Sequence, residues 1–183
     1  MLSKITEPYF RHDKSRICQG DILRDVEFYV IRGEDITEVF FDYMIVMSQD
    51  CDLEQGLKSQ QEGSELNNQF LHSILLVPAF IAEKLKEGEH LEGFNVKQTR
   101  IDSKRWKVLK DNRNPRYHYL LTFQAFQVPE LVVDFKTFYT LGVDNLRSTH
   151  GEMYLATISE LFREELSRRF TNYLSRIALP EVS

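Results

Sequence analysis

The amino-acid sequence predicts a single, mainly β domain of the α+β class, with a long polar loop and a C-terminal amphipathic helix. Three observations carry this. Short segments rich in β-branched and aromatic residues recur between Gly, Pro, Asn and Asp turn signals. One of them, Val39 to Met47, is apolar almost throughout. The segment after Glu160 repeats its apolar residues at helical spacing. At 183 residues the chain can bury about two-thirds of its unfolded surface around one core, and no linker, repeat or low-complexity tract divides it. The expected domain is 1–183, with a strand-built core over about 18–157 and a helix over about 158–179.

The elements follow in order. Gly20 to Ile31 alternates loosely and closes at the turn residues Gly33, Glu34 and Asp35, which predicts a first strand. The apolar run Val39 to Met47 reads as a strand covered on both sides, the centre of the sheet. From Ser48 to Gln69 the chain turns polar and predicts a long loop or weak helix, a length that in a compact domain goes with function or mobility. Phe70 to Ala79 returns to strand character with Pro78 at its end, and Ala79 to Glu87 predicts a short helix stopped by Gly88. β-like stretches follow around Val108, at Arg116 to Phe126 and at Leu131 to Tyr139. Thr157 and Glu160 have capping-box spacing, and Phe162, Leu166, Phe170, Tyr173, Leu174 and Ile177 fall on one arc of a helix ending near Pro180.

Composition excludes several classes. The longest apolar runs are about half the ~18 residues of a membrane-spanning helix, so no membrane contact is expected. The two cysteines and the absence of a leader-like apolar start point to a reducing cytoplasm. With 28 acidic against 23 basic residues the net charge is −5, which disfavours non-specific nucleic-acid binding unless basic residues gather on one face.

Candidate chemistry concentrates at the end of the apolar strand. Ser48, Gln49, Asp50, Cys51 and Asp52 bring a hydroxyl, an amide, two carboxylates and a thiol to the rim of the sheet within five residues, and strand ends are where scaffolds present function. The same residues also cap turns. As a nucleophile Cys51 needs a base, His72 or His118, yet the flanking carboxylates oppose a thiolate. Cys51, His72 and His118 would alternatively make a mixed zinc set. Arg113 and Arg116 lie among Tyr117, His118 and Tyr119, with Trp106 shortly before, the composition of a single-stranded nucleic-acid groove; strand alternation sets Arg116 and His118 on one face and the two tyrosines on the other. Arg163 interrupts the apolar arc of the last helix, either as a snorkelling stem paired with a carboxylate or as a guanidinium for a partner or anion. Asp134 reads as a counter-ion for Arg116, Arg163 or Lys136.

The opening Gly20-Asp21-Ile22, a first strand, and then Met44-Ile45-Val46-Met47-Ser48 resemble the MazF/PemK group of small β-barrel toxins over about residues 19–81. The resemblance implies an SH3-like, PemK-like, partly open barrel. It does not carry ribonuclease chemistry over: Asp42 and Tyr43 stand where that family has an Arg-Pro pair, and Phe80 where it has a catalytic threonine or serine. The whole chain is also similar to a set of bacterial proteins with a Ser-Gln-x-Cys-Asp motif, here Ser48 to Asp52, and a C-terminal helix like Phe162 to Pro180. That similarity implies an accessory role in a bacterial mobile-element or phage-conflict system, with a protein partner encoded nearby. The function expected first is therefore a non-catalytic or cryptically catalytic component of a multi-protein assembly. The alternatives are a nucleic-acid-processing or hydrolytic enzyme using Asp50, Cys51, Asp52 and His118, with or without zinc, and a single-stranded nucleic-acid-binding module.

Overall fold

A computed structural model describes residues 7–62 and 71–176. Its framework is one antiparallel sheet curled into a half-barrel. The strands are β1 (Tyr9–Phe10), β2 (Asp21–Arg32), β3 (Asp35–Val46), β4 (Ser73–Ile81), β5 (Tyr117–Leu120), β6 (Leu131–Asp134), β7 (Tyr139–Gly142) and β8 (Tyr154–Ile158). The order is β1-β8-β2-β3-β4-β6-β5, and β7 joins β4 beside β6. The apolar strand β3 is thus central, as its composition predicts. Pro78 lies inside β4 and does not end it. It falls between the part of β4 paired with β7, Ser73 to Leu76, and the part paired with β6, Ala79 to Ile81. No ladder bond is asked of its missing N–H on that side.

β2 and β3 pair along their whole length, from Ile22 opposite Ile45 to Arg32 opposite Asp35. Gly33 opens the two-residue turn with φ +65, a conformation a glycine adopts without steric cost and one that matches the strand twist. Only the base of this hairpin belongs to the wider sheet. β8 reaches no further along β2 than Leu23, and β4 no further along β3 than Tyr43. Beyond Asp25, which takes a left-handed backbone (φ 56), the hairpin continues as a two-stranded ribbon.

Five α-helices pack around the sheet among the described residues: α1 (Asp50–Glu62), α2 (Ala82–Glu87), α3 (Ser103–Lys110), α4 (Val143–Met153) and α5 (Glu160–Leu174). One core cluster sets Ile45, Val77, Val133 and Phe135 against Leu166 and Phe170 of α5. A second gathers Leu23, Met44, Ile74 and Leu76 with Leu53 of α1 and Leu146 of α4. A third joins Ala82 and Leu85 of α2 and Leu109 of α3 to Tyr117, Tyr119 and Val132.

Most of the described polar stretch after Ser48 is helix α1, the second of the two alternatives its composition leaves open. Among its described side chains Leu53, Gly56 and the half-buried Leu57 mark its inner face, too few apolar residues to show as periodicity. Other expectations are corrected. The segment around Val108 is helix α3, because Asp102 accepts from the amides of Lys104 and Arg105 and caps its start. Thr157 belongs to β8 and caps nothing; Ser159 holds the N-cap position of α5 and its hydroxyl donates to the carbonyl of Glu7 instead. On α5, Leu166, Phe170 and Tyr173 face the core, whereas Phe162 and Leu174 are exposed. Ile177 and Pro180 lie outside the described residues. None of the described helices is long and apolar enough to cross a membrane.

Candidate functional site

The strand end is built largely from structural bonds. The Ser48 hydroxyl accepts from the Leu75 amide at 2.8 Å. The carbonyl of Gln49 accepts the Asp52 and Leu53 amides and starts α1. Asp50 is held on both oxygens: Oδ1 accepts the Gln19 amide at 2.8 Å and Oδ2 accepts Arg163 at 2.6 Å. Arg16 lies 3.5 Å away. Arg163 is therefore the paired stem of the first alternative, and it also donates to the carbonyl of Gln19. Gly20, at φ +86, makes room for it: a Cβ there would stand 3.0 Å from Arg163 Cδ. Cys51 and Asp52 are exposed on the first turn of α1, where acidic residues suit the helix dipole. The Cys51 thiol faces only oxygen, Gln49 Oε1 at 3.5 Å and Asp52 Oδ1 at 3.7 Å.

The histidines go elsewhere. His72 precedes β4, and its carbonyl accepts the Val143 amide. His118 is buried in β5 against Phe135, with a ring nitrogen, Nδ1, that has no hydrogen-bond partner. Burial, helped by the Arg169 guanidinium, pushes its pKa down to about 3. Among the described residues only His12, Cys18 and Asp21 bring three possible metal-ligating atoms within 4.8 Å of one another. Cys51, His72 and His118 form no such group.

That trio belongs to a buried hub which the sequence does not announce. Asp21 is fully buried and accepts four hydrogen bonds. His12 Nε2 (3.1 Å) and the Thr157 hydroxyl (2.7 Å) reach Oδ1; the Cys18 amide (2.8 Å) and His150 Nε2 (2.8 Å) reach Oδ2. Proton directions follow from the bonds. The Lys14 amide donates to His12 Nδ1, so in a neutral ring Nε2 carries the proton and points it at Asp21. A metal on Nε2 would force a proton onto Nδ1, against the Lys14 N–H, whereas ligating histidines donate their second nitrogen to an acceptor. Burial and the nearby Asp21 carboxylate push the Cys18 thiol up to about 11, which further opposes a metal thiolate. The hub is a hydrogen-bonded clamp that ties the N-terminal segment and α4 to β2 and β8.

A second locus combines rings and cations. Phe41, Phe80, Phe94 and Tyr139 wall a pocket of about 390 Å³ with Asp134 and Thr137 at its edge. A second depression of about 630 Å³ is lined by Gln98, Ile101, Lys104, Arg105, Asn114 and Tyr117. The counter-ion of Asp134, open in the sequence among Arg116, Arg163 and Lys136, is Arg116, which holds both its oxygens at 2.8 and 2.5 Å. Alternation holds within β5, with Tyr117 and Tyr119 in the third core cluster and His118 against Phe135. Arg116, ahead of the strand, departs from it: Asp134 lies opposite Tyr117 in register and the pair turns the guanidinium over the Tyr117 ring at 4.8 Å. Arg113 is exposed beside Asp111, and Trp106 packs edge-on to Tyr119.

No family model and no curated protein matches the chain.

The remaining surface feature is the ribbon. Its inner face, Val26, Phe28, Val39 and Phe41, is buried on the second core cluster. Its outer face exposes Tyr29 (68%), Ile36 (70%) and Phe40 (51%) beside Glu27 and Glu38, which stand opposite Phe40 and Tyr29 in register. Residues 24–42 hold six acids and two arginines, a net −4.

Proposed function

We propose that the chain is a non-catalytic docking component of a bacterial multi-protein assembly of the mobile-element or phage-conflict kind. Its partner, encoded nearby, is held by the outer face of the β2–β3 ribbon. The carrying observation is that ribbon: two strands that leave the sheet with Tyr29, Ile36 and Phe40 exposed among carboxylates. Large rings and aliphatic groups presented together are the usual anchors of protein interfaces. Free strand edges add main-chain donors and acceptors that a partner strand can satisfy. The acidic surround selects a partner with a basic rim and speeds encounter.

Co-expression with the products of the flanking genes, followed by size-exclusion chromatography with light scattering, tests this. A stable complex is expected with the parent chain and none with Tyr29→Ser/Phe40→Ser, whose melting temperature stays close to the parent's because both side chains are exposed. A complex unaffected by the double variant, or a chain that stays monomeric beside every flanking product, contradicts it.

A further inference from the structure

We propose that the aromatic pocket and the adjoining α3 surface form a binding site for a base and its phosphate, as carried by single-stranded nucleic acid. The chain's net charge of −5 hides a segregation: residues 100–116 contain seven basic and two acidic residues, a net +5. Lys104, Arg105, Lys107 and Lys110 all ride on the single short helix α3. Beside this cationic strip lies a pocket with half-buried rings, Phe80, Phe94 and Tyr139, over a floor formed by Phe41. Its volume, about 390 Å³, falls in the range of small-ligand sites.

The two surfaces adjoin at two places. Val96 lines the pocket and Gln98 the basic depression, so at most about 7 Å of chain separates those walls. On the sheet, Asp134 lines the pocket while Tyr117, its direct cross-strand neighbour, lines the depression. Stackable rings next to exposed cations are what binds an unpaired base together with its phosphate, and Lys104, Arg105, Lys107 and Lys110 are all exposed, Arg105 and Lys110 within 4 Å of Asp102 and Glu130. A duplex keeps its bases stacked inside and cannot insert one without unpairing it. Asp134 lines the pocket but is buried, with both oxygens held by Arg116. Asp102 already caps the N-terminus of α3, so the phosphate contacts fall to the side chains. Neither lining contains Tyr29, Ile36 or Phe40, so this surface is separate from the docking face of the ribbon.

Fluorescence anisotropy of the full chain with a labelled single-stranded oligonucleotide of about fifteen nucleotides tests it, with the same strand annealed to its complement and AMP as competitors. Single strands are expected to bind at least tenfold more tightly than duplex. Phe94→Ala should weaken binding about tenfold without changing its salt dependence. Lys104→Glu/Arg105→Glu, at exposed positions, should weaken it and also reduce the salt slope, and Lys58→Glu on α1 should do neither. AMP displacing the strand at matching affinity assigns the site to free nucleotides; a strand at least tenfold tighter assigns it to nucleic acid. Duplex bound as well as single strand, affinity unchanged in Phe94→Ala, or no binding at low salt overturns the proposal.

Discussion

Asp21 carries more buried bonds than any other side chain described, and its replacement tests whether the hub is a clamp. All four of its acceptor positions receive donors. Asparagine in its place would turn an NH2 toward at least one of them, leaving a buried donor facing a donor. Asp21→Asn should cost about 3 kcal/mol or more of unfolding free energy, read by urea denaturation. The cysteines separate by environment. Cys51 is exposed, whereas Cys18 is buried with a raised pKa. Iodoacetamide should give one adduct on the native chain, at Cys51, and a second only in denaturant, as mass spectrometry would show.

His118 gives a pH signature. Its pKa falls from 6.5 to about 3 on folding, so between these values the unfolded chain binds the extra proton. Stability is then full above about pH 6.5 and drops as pH falls toward 3, by at most about 1.4 kcal/mol per pH unit. His90, lowered by burial, acts in the same sense. Arg169 opposes the charged ring, while Lys110 and Glu165 line the same cavity. Chemical denaturation across pH 4–7 should show a shallower slope in His118→Leu. At this scale the ion-paired role of Asp134 was legible, since an acid in an apolar strand needs a counter-ion, but the choice of Arg116 over Arg163 and Lys136 was not. The hub was not, because His12, Asp21, His150 and Thr157 meet only when β8 and α4 close over β2.

Among elements, β2, β3 and the end of α2 at Gly88 were readable from composition and turn chemistry. Helix α1 was legible only as one of two alternatives, loop or weak helix, because it has too little apolar surface to show a period, and α3 was not legible. α3 carries Trp106, Val108 and Leu109, which imitate a strand until the Asp102 cap is recognised. Removing that cap isolates its worth: Asp102→Ala should lower the urea midpoint at unchanged slope, because the Lys104 and Arg105 amides lose their acceptor. The ribbon shows the limit of composition most plainly. The apolar run Val39 to Met47 implied cover on both sides, which holds from Met44 onward; Phe40 within the run, and Ile36 ahead of it, meet solvent.

For the whole molecule, the antiparallel, curled, partly open sheet agrees with the expected class of fold. Charge is the property that sequence totals concealed. A net −5 divides into an acidic ribbon and a basic α3 region, and each matches a different kind of surface. The docking role rests on the first of these. Hydrogen exchange along the chain, with and without the co-expressed flanking product, tests it most directly. Binding should slow exchange over residues 26–41, where strand edges are unpaired, and leave α5 unchanged. Protection confined to α5 or to the strand end at Ser48, with the ribbon exchanging as freely as before, would contradict it.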